Sequence, residues 1–178
     1  MASLILSGST SGSVTLSSPA VSGTTTLTLP VQTGTVMVNG PAFSAYASAT
    51  DSFTNDVARK VSLSQENFDT NSNYNTSTYR FTPTVAGYYQ INAAMAWNGF
   101  TATYCVIYIY KNGTEYYRGS AYSNTANGIQ SVAAGIVYLN GSTDYVELYG
   151  LQNSGTTQNN AAYASTVTYM NGCLVRGA

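Results

Sequence analysis

A chain of 178 residues with 7% charged residues and a net charge of -1 is long enough for one full domain plus an appendage, and it carries almost no ionic field. Ordinary soluble domains hold about 25% charged residues; here Ser, Thr, Asn and Gly fill the polar positions instead. This balance excludes a basic surface that would gather nucleic acid, and the absence of histidine removes the usual general base and the commonest zinc ligand.

Residues 1–6 hold a three-residue apolar run without a basic flank, too short for the apolar stretch of a secretory signal. No later stretch approaches a membrane-spanning length, so a soluble chain made in the cytoplasm, without membrane insertion, is expected. An eleven-residue repeat follows: GSVTLSSPAVS from Gly12, GTTTLTLPVQT from Gly23 and GTVMVNGPAFS from Gly34, with Pro19, Pro30 and Pro41 in step. Thr, Val and a proline in every unit exclude a helix and predict strands of about five residues, each ended by its proline. Three such units cannot bury both faces alone, so residues 1–41 need a neighbour or else form a Ser/Thr-rich linker.

From about residue 42 the pattern changes to strands of ordinary length. In residues 88–97 the apolar Tyr89, Ile91, Ala93, Met95 and Trp97 alternate with Gln90 and Asn92, which predicts one strand with a core face. In residues 103–110, Tyr104, Val106, Tyr108 and Tyr110 share one face and Cys105, Ile107 and Ile109 the other, so neither face favours water. Asn112-Gly113 predicts a hairpin to Glu115-Tyr116-Tyr117. Further strands are predicted over 132–139, over 145–151 after an Asn140-Gly141 turn, and over 166–175. Regular strands without helices predict a sandwich or barrel, and the 16 tyrosines suit half-buried sheet faces and contact surfaces.

The spacing Asp69-x4-Tyr74-x6-Phe81-x5-Gly87-x-Tyr89, with Ser77-Thr78-Tyr79-Arg80-Phe81, Val85-Ala86-Gly87-Tyr88-Tyr89 and the closing Asn171-Gly172-Cys173-Leu174-Val175, resembles the C1q-like globular heads, jelly rolls related to the tumour-necrosis-factor ligands. Leu63 stands where that family usually has Phe, and Ile91 and Ala93 replace aromatics, swaps that keep the face apolar. The resemblance implies an all-β jelly-roll β-sandwich over residues 42–178, preceded by a short β-repeat segment over 1–41. It also implies a homotrimer with aromatic strands at the contact, for which Tyr104, Tyr108 and Tyr110 are the candidates. The repeat itself is similar to segments of bacteriophage tail-fibre and other virion proteins.

Little chemistry is visible. Asp144 and Glu147 are expected to point apart, no enzymatic activity is expected, and no cofactor is implied. Asp69-x-Asn71-x-Asn73 opens like a calcium loop, but Tyr74 replaces the required Gly and Arg80 the bidentate Glu, so Asp69 reads as a turn residue and no metal site is expected. Cys105 and Cys173 are expected as two buried, inert free thiols. The loops 120–128 and 152–162, with Tyr122, Asn124, Asn127, Asn153, Asn159 and Tyr163 in or beside them, have a composition suited to hydrogen bonding with glycans or proteins, or equally to plain solvated loops. These readings converge on a bacteriophage virion protein, assembled in the host cytoplasm: a homotrimeric capsid decoration or fibre component, attached to other virion proteins through residues 1–41, with a host-surface glycan or protein as candidate partner. The alternative is a stand-alone secreted C1q-like module that binds glycans or proteins.

Overall fold

The computed structural model describes residues 3–7, 9–17, 23–24, 26, 39–123 and 129–178. The chain divides into two compact units, Met1–Thr35 and Val36–Ala178. In the first, β1 (Ser3–Ser7) pairs antiparallel with β2 (Ser13–Ser17), Leu4 opposite Leu16 and Leu6 opposite Val14. β2 is the strand expected in the first repeat unit. Its partner β1 lies upstream, in the short apolar run that shows no repeat. The strands expected in the next two units fall almost wholly outside the described residues.

The second unit contains β3 (Ala42–Tyr46), β4 (Ser52–Phe53), β5 (Arg59–Lys60), β6 (Gln65–Asp69), β7 (Tyr74–Asn75), β8 (Arg80–Phe81) and β9 (Ala86–Trp97). β10 (Ala102–Lys111), β11 (Thr114–Ser123), β12 (Ile129–Asn140), β13 (Val146–Gln152), β14 (Gln158–Asn159) and β15 (Tyr169–Gly177) complete it. Two antiparallel sheets face each other. One runs β12-β9-β15-β3-β6; the other runs β11-β10-β13-β8-β7, with β5 also paired to β13. The chain changes sheet between β9 and β10, between β11 and β12, between β12 and β13 and between β13 and β15, and a β14-β4 pair closes one end. This is the jelly-roll sandwich the sequence implied.

Alternation fixes which side chains fill the gap. Tyr89, Ile91, Met95 and Trp97 of β9 are buried, as expected, and meet Ile107 and Ile109 of β10, Leu139 of β12 and Leu148 of β13 in one core. The recognisable motif occupies the middle of that core. Phe43 stacks on Phe81 with ring centroids 4.1 Å apart and lies against Tyr74 at 5.4 Å, while Tyr89 meets Phe81 edge-on at 5.5 Å. The Tyr74 hydroxyl donates to the Leu63 carbonyl at 3.0 Å and the Tyr89 hydroxyl to that of Val85 at 2.7 Å, so each ring is buried without stranding its polar end. Burial holds both phenols protonated, that of Tyr89 pushed up to about 12. Asp69 closes the turn before β7 by accepting the backbone N–H of Tyr74 at 2.6 Å and of Asn71 at 3.3 Å, the turn role expected of it.

The hairpin after β10 forms at Asn112 and Gly113, whose φ values of 53° and 78° match the turn type that suits twisted strands. A bulge shifts the expected register: Tyr110 faces Glu115 but Ile109 faces Tyr117, leaving Tyr116 unpaired and exposed. At the other end of the chain the last strand begins later than expected. The Thr166 hydroxyl donates back to the Tyr163 carbonyl at 2.6 Å and closes a 3-10 turn over Ala164–Thr166, which postpones β15 to Tyr169.

Gly87 shows why the motif requires its glycine. A Cβ there would come well within van der Waals contact distance of the Arg176 carbonyl oxygen and lie 2.6 Å from Leu174 Cδ1, where β15 bulges against β9. Gly87→Ala is therefore expected to cost about 1–3 kcal/mol through overpacking, measured as a lower urea midpoint at unchanged slope. An unchanged midpoint would show that β15 gives way freely.

Candidate binding surfaces

Three surfaces surround this core. The first is the outer face of the six-stranded sheet, which carries Tyr104, Tyr108 and Tyr110. The chain itself covers much of it. Tyr110 stacks on Tyr149 at 4.0 Å, Tyr108 meets Tyr110 edge-on at 5.9 Å, and the Arg118 guanidinium lies 5.1 Å over the Tyr108 ring. Tyr108 is only 6% exposed as a result. The Tyr104 hydroxyl donates to Asp56 at 3.0 Å, and the Asn153 side-chain amide donates to the same carboxylate at 2.6 and 2.7 Å. These two partners, Asn153 before Tyr104, hold the Asp56 carboxyl below the usual carboxylate range. The expected two-sided strand is present, and intramolecular packing meets most of its need to avoid water.

Beside these rings lies the most buried carboxylate of the described residues. Glu147 is 1% exposed, and its Oε1 accepts from Lys60 Nζ at 2.9 Å and Arg80 Nε at 2.8 Å. Asp144, by contrast, meets Lys111 at 2.9 Å and Asn112 at 2.8 Å in the loop before β13. The two carboxylates engage different partners, as a pair of structural ion sites would.

The second surface, which sequence reasoning did not single out, is the outer face of the five-stranded sheet. The same alternation that buries Tyr89, Val137 and Leu139 turns Tyr88, Val132, Ile136 and Tyr138 outward, and Val175 of β15 joins them, with exposures from 38% to 60%. Tyr88 and Tyr138 pair across the strands at 5.4 Å. β9 and β12 contain no charged residue at all. The signal was present in the second apolar set of 132–139, which a reading confined to strand existence leaves unused.

Cys173 belongs to this face. It lies on β15 between Ala42 and Gln90, flanked by the inward-facing Gly172 and Leu174, and it is exposed, contrary to the expectation of two buried thiols. Strand parity is the reason: the core takes Met170, Gly172 and Leu174, so Cys173 must point out. Cys105, on the inward side of β10, is buried as expected, and burial pushes its thiol up to about 11.

The third surface is the loop end. Tyr122 lies within β11, and Asn124 and Asn127 fall outside the described residues. Asn153 is committed to Asp56, and Asn159, in β14, accepts from the Ser52 hydroxyl at 2.7 Å. Tyr163 stands well clear, at 67% exposure, in the lining of a cleft of about 400 Å³ with Trp97, Asn98, Ile129, Gln130 and Thr166.

These surfaces sit on a known scaffold. Neither a family model nor a curated relative matches the sequence. Among solved structures, the globular domain of zebrafish complement 1qA is similar over 79% of this chain and 100% of that one, with a TM-score of 0.61 at 15% identity. The fold is that of the C1q and TNF heads. Murine APRIL matches 77% of this chain and 100% of its own at a TM-score of 0.61 and 10% identity, and Eiger TNF from S. frugiperda matches 78% and 93% at 0.58 and 8%. Such identities carry the jelly roll alone; no site is part of the likeness.

The thiols offer a direct check on sheet parity. A thiol reagent is expected to leave Cys105 unmodified in the folded protein and to reach it only after denaturation, as read by peptide mass mapping. Modification of Cys105 at the rate of a small-molecule thiol would place it outside the core.

Proposed function

We propose that this chain is a non-catalytic, homotrimeric surface component of a virus particle, with the jelly-roll head forming the trimer and residues 1–41 attaching it to other virion proteins. The observation that carries the assembly is the exposed, charge-free face of β9 and β12. The C1q-like resemblance implies three-fold association, and this face supplies an apolar surface for it. An exposed apolar face of this kind marks a contact site more often than a free surface. Tyr104, Tyr108 and Tyr110 remain the other candidates for the contact, but their rings are already partnered within the chain.

The attachment rests on the first unit. Ile5 and Leu6 are 59% and 53% exposed on a two-stranded ribbon. Isolated two-stranded hairpins are marginal in water, and edge strands with apolar side chains are suited to pairing with a partner's sheet. The similarity of the eleven-residue repeat to tail-fibre segments supports reading that partner as a virion protein, on a particle assembled in the host cytoplasm.

Two experiments test this. Light scattering is expected to give a trimer mass for the full chain; Val132→Asp with Ile136→Asp should yield a folded monomer in which Cys173 becomes reactive, since a buried unpaired charge costs several kcal/mol. A monomeric native chain overturns the assembly, and dissociation by Tyr108→Asp of a still-folded chain moves the contact to the other sheet. Deleting residues 2–35 should leave the head folded and trimeric but unable to bind particles. Normal attachment of the truncated chain, or absence of the native chain from purified particles, overturns the anchoring role.

A further inference from the structure

The cleft at the loop end is built differently from the two sheet faces. Its lining includes Trp97, which is 2% exposed and donates its indole N–H to the Ser131 hydroxyl at 3.3 Å. Tyr163 also lines it: the Tyr163 carbonyl accepts the Thr166 hydroxyl at 2.6 Å, which fixes the main chain there, while the side chain is 67% exposed. Two side-chain amides, of Gln130 and Asn98, belong to the same lining. Gln130 Nε2 donates to the Val167 carbonyl at 3.0 Å, and Asn98 Nδ2 donates to the Asn160 carbonyl at 3.2 Å. Neither amide oxygen has a partner among the described residues.

Each amide is thus oriented by one bond to the main chain, with an acceptor left over. Groups ordered on folding do not have to be ordered again on binding. Acceptors of this kind match ligands rich in hydroxyl donors. None of the described residues lining the cleft is Asp, Glu, Lys or Arg, so no charge among them would select a phosphate, sulfate or carboxylate. An exposed Tyr ring offers an apolar plate with a polar tip, the shape that packs against the C–H face of a pyranose. The volume lies at the small end of the range for ligand pockets, roughly 300–1,000 Å³, enough for one or two sugar rings.

We propose that this cleft binds a neutral glycan, with Tyr163 stacking on a sugar ring and Gln130 and Asn98 accepting from its hydroxyls. This rests on the surface-display reading above, and it names what the displayed head recognises. A shallow, uncharged site binds weakly alone, and three copies on one trimer raise its avidity without any new contact.

The test uses the full chain on an array of immobilised neutral oligosaccharides built from hexoses and N-acetylhexosamines, alongside sialylated and sulfated ones, followed by calorimetric titration of any neutral oligosaccharide retained. Binding of neutral sugars is expected, unchanged by added salt. Tyr163→Ala should weaken it at least tenfold, and Tyr163→Phe, which keeps the ring, should weaken it far less. Gln130→Ala should also lower the affinity, with the melting temperature as the control for folding. Retention of sialylated or sulfated glycans only, retention of none, or a Tyr163→Ala variant that binds as well as the native chain would each overturn the proposal. Light scattering on the same sample separates the two readings: a trimer that binds no neutral glycan sinks this inference alone, whereas a monomer that binds one in a Tyr163-dependent manner supports the cleft and sinks the trimer.

Discussion

The stack of Phe43 on Phe81 is the contact on which the sandwich depends. Phe43 comes from β3 in one sheet and Phe81 from β8 in the other, so their 4.1 Å separation ties the sheets together at a single point. Everything nearby serves that contact. Tyr74 and Tyr89 extend it on either side, and their hydroxyls are satisfied by main-chain carbonyls of Leu63 and Val85, which anchors two loops to the aromatic centre. β7 and β8 are strands of only two residues, and two-residue ladders have little strength of their own. They hold their place because Tyr74 and Phe81, directly paired across them, are both part of the stack.

The same economy governs charge. Arg59 pairs with Asp51, Lys60 and Arg80 with Glu147, Lys111 with Asp144 and Arg118 with Glu115. The sixth cation, Arg176, lies past the bulge of β15. Two of these pairs fasten weak elements: Glu147 of β13 draws in Lys60 of the two-residue β5 and Arg80 of the two-residue β8. Cations that fasten short strands to a long one are not available to form a field around the molecule.

What could be read from the sequence was whatever period and turn chemistry record. Residues 88–97 and 103–110 showed their strands by strict alternation, Asn112-Gly113 showed its turn through the backbone angles it allows, and the motif around Phe81 and Gly87 showed the family resemblance. The short strands β4, β5, β7, β8 and β14 left no such trace, because two residues cannot display a period and their pairing is set by distant partners such as Glu147 and Phe43. The exposed Cys173 was misjudged for a related reason: a cysteine's preference for burial is a statistical tendency, while the inward positions of β15 were already taken by Met170, Gly172 and Leu174. The candidate loop residues divided similarly. Asn153 and Asn159 have the composition of a contact loop but are spent on Asp56 and Ser52, whereas Tyr163 stands clear.

The pairing of nearly every cation with a neighbouring carboxylate also decides how this head meets a partner in solution. A surface with a strong field draws its target in from a distance and accelerates the encounter, and one without a field is left to unguided collision, at about 10⁵–10⁶ M⁻¹s⁻¹. Long-range attraction then contributes nothing, and selectivity resides in how long a complex lasts after it forms. Any complex formed by a head of this kind would owe its selectivity to residence time and would lose little of it when the surrounding medium changes from dilute to saline.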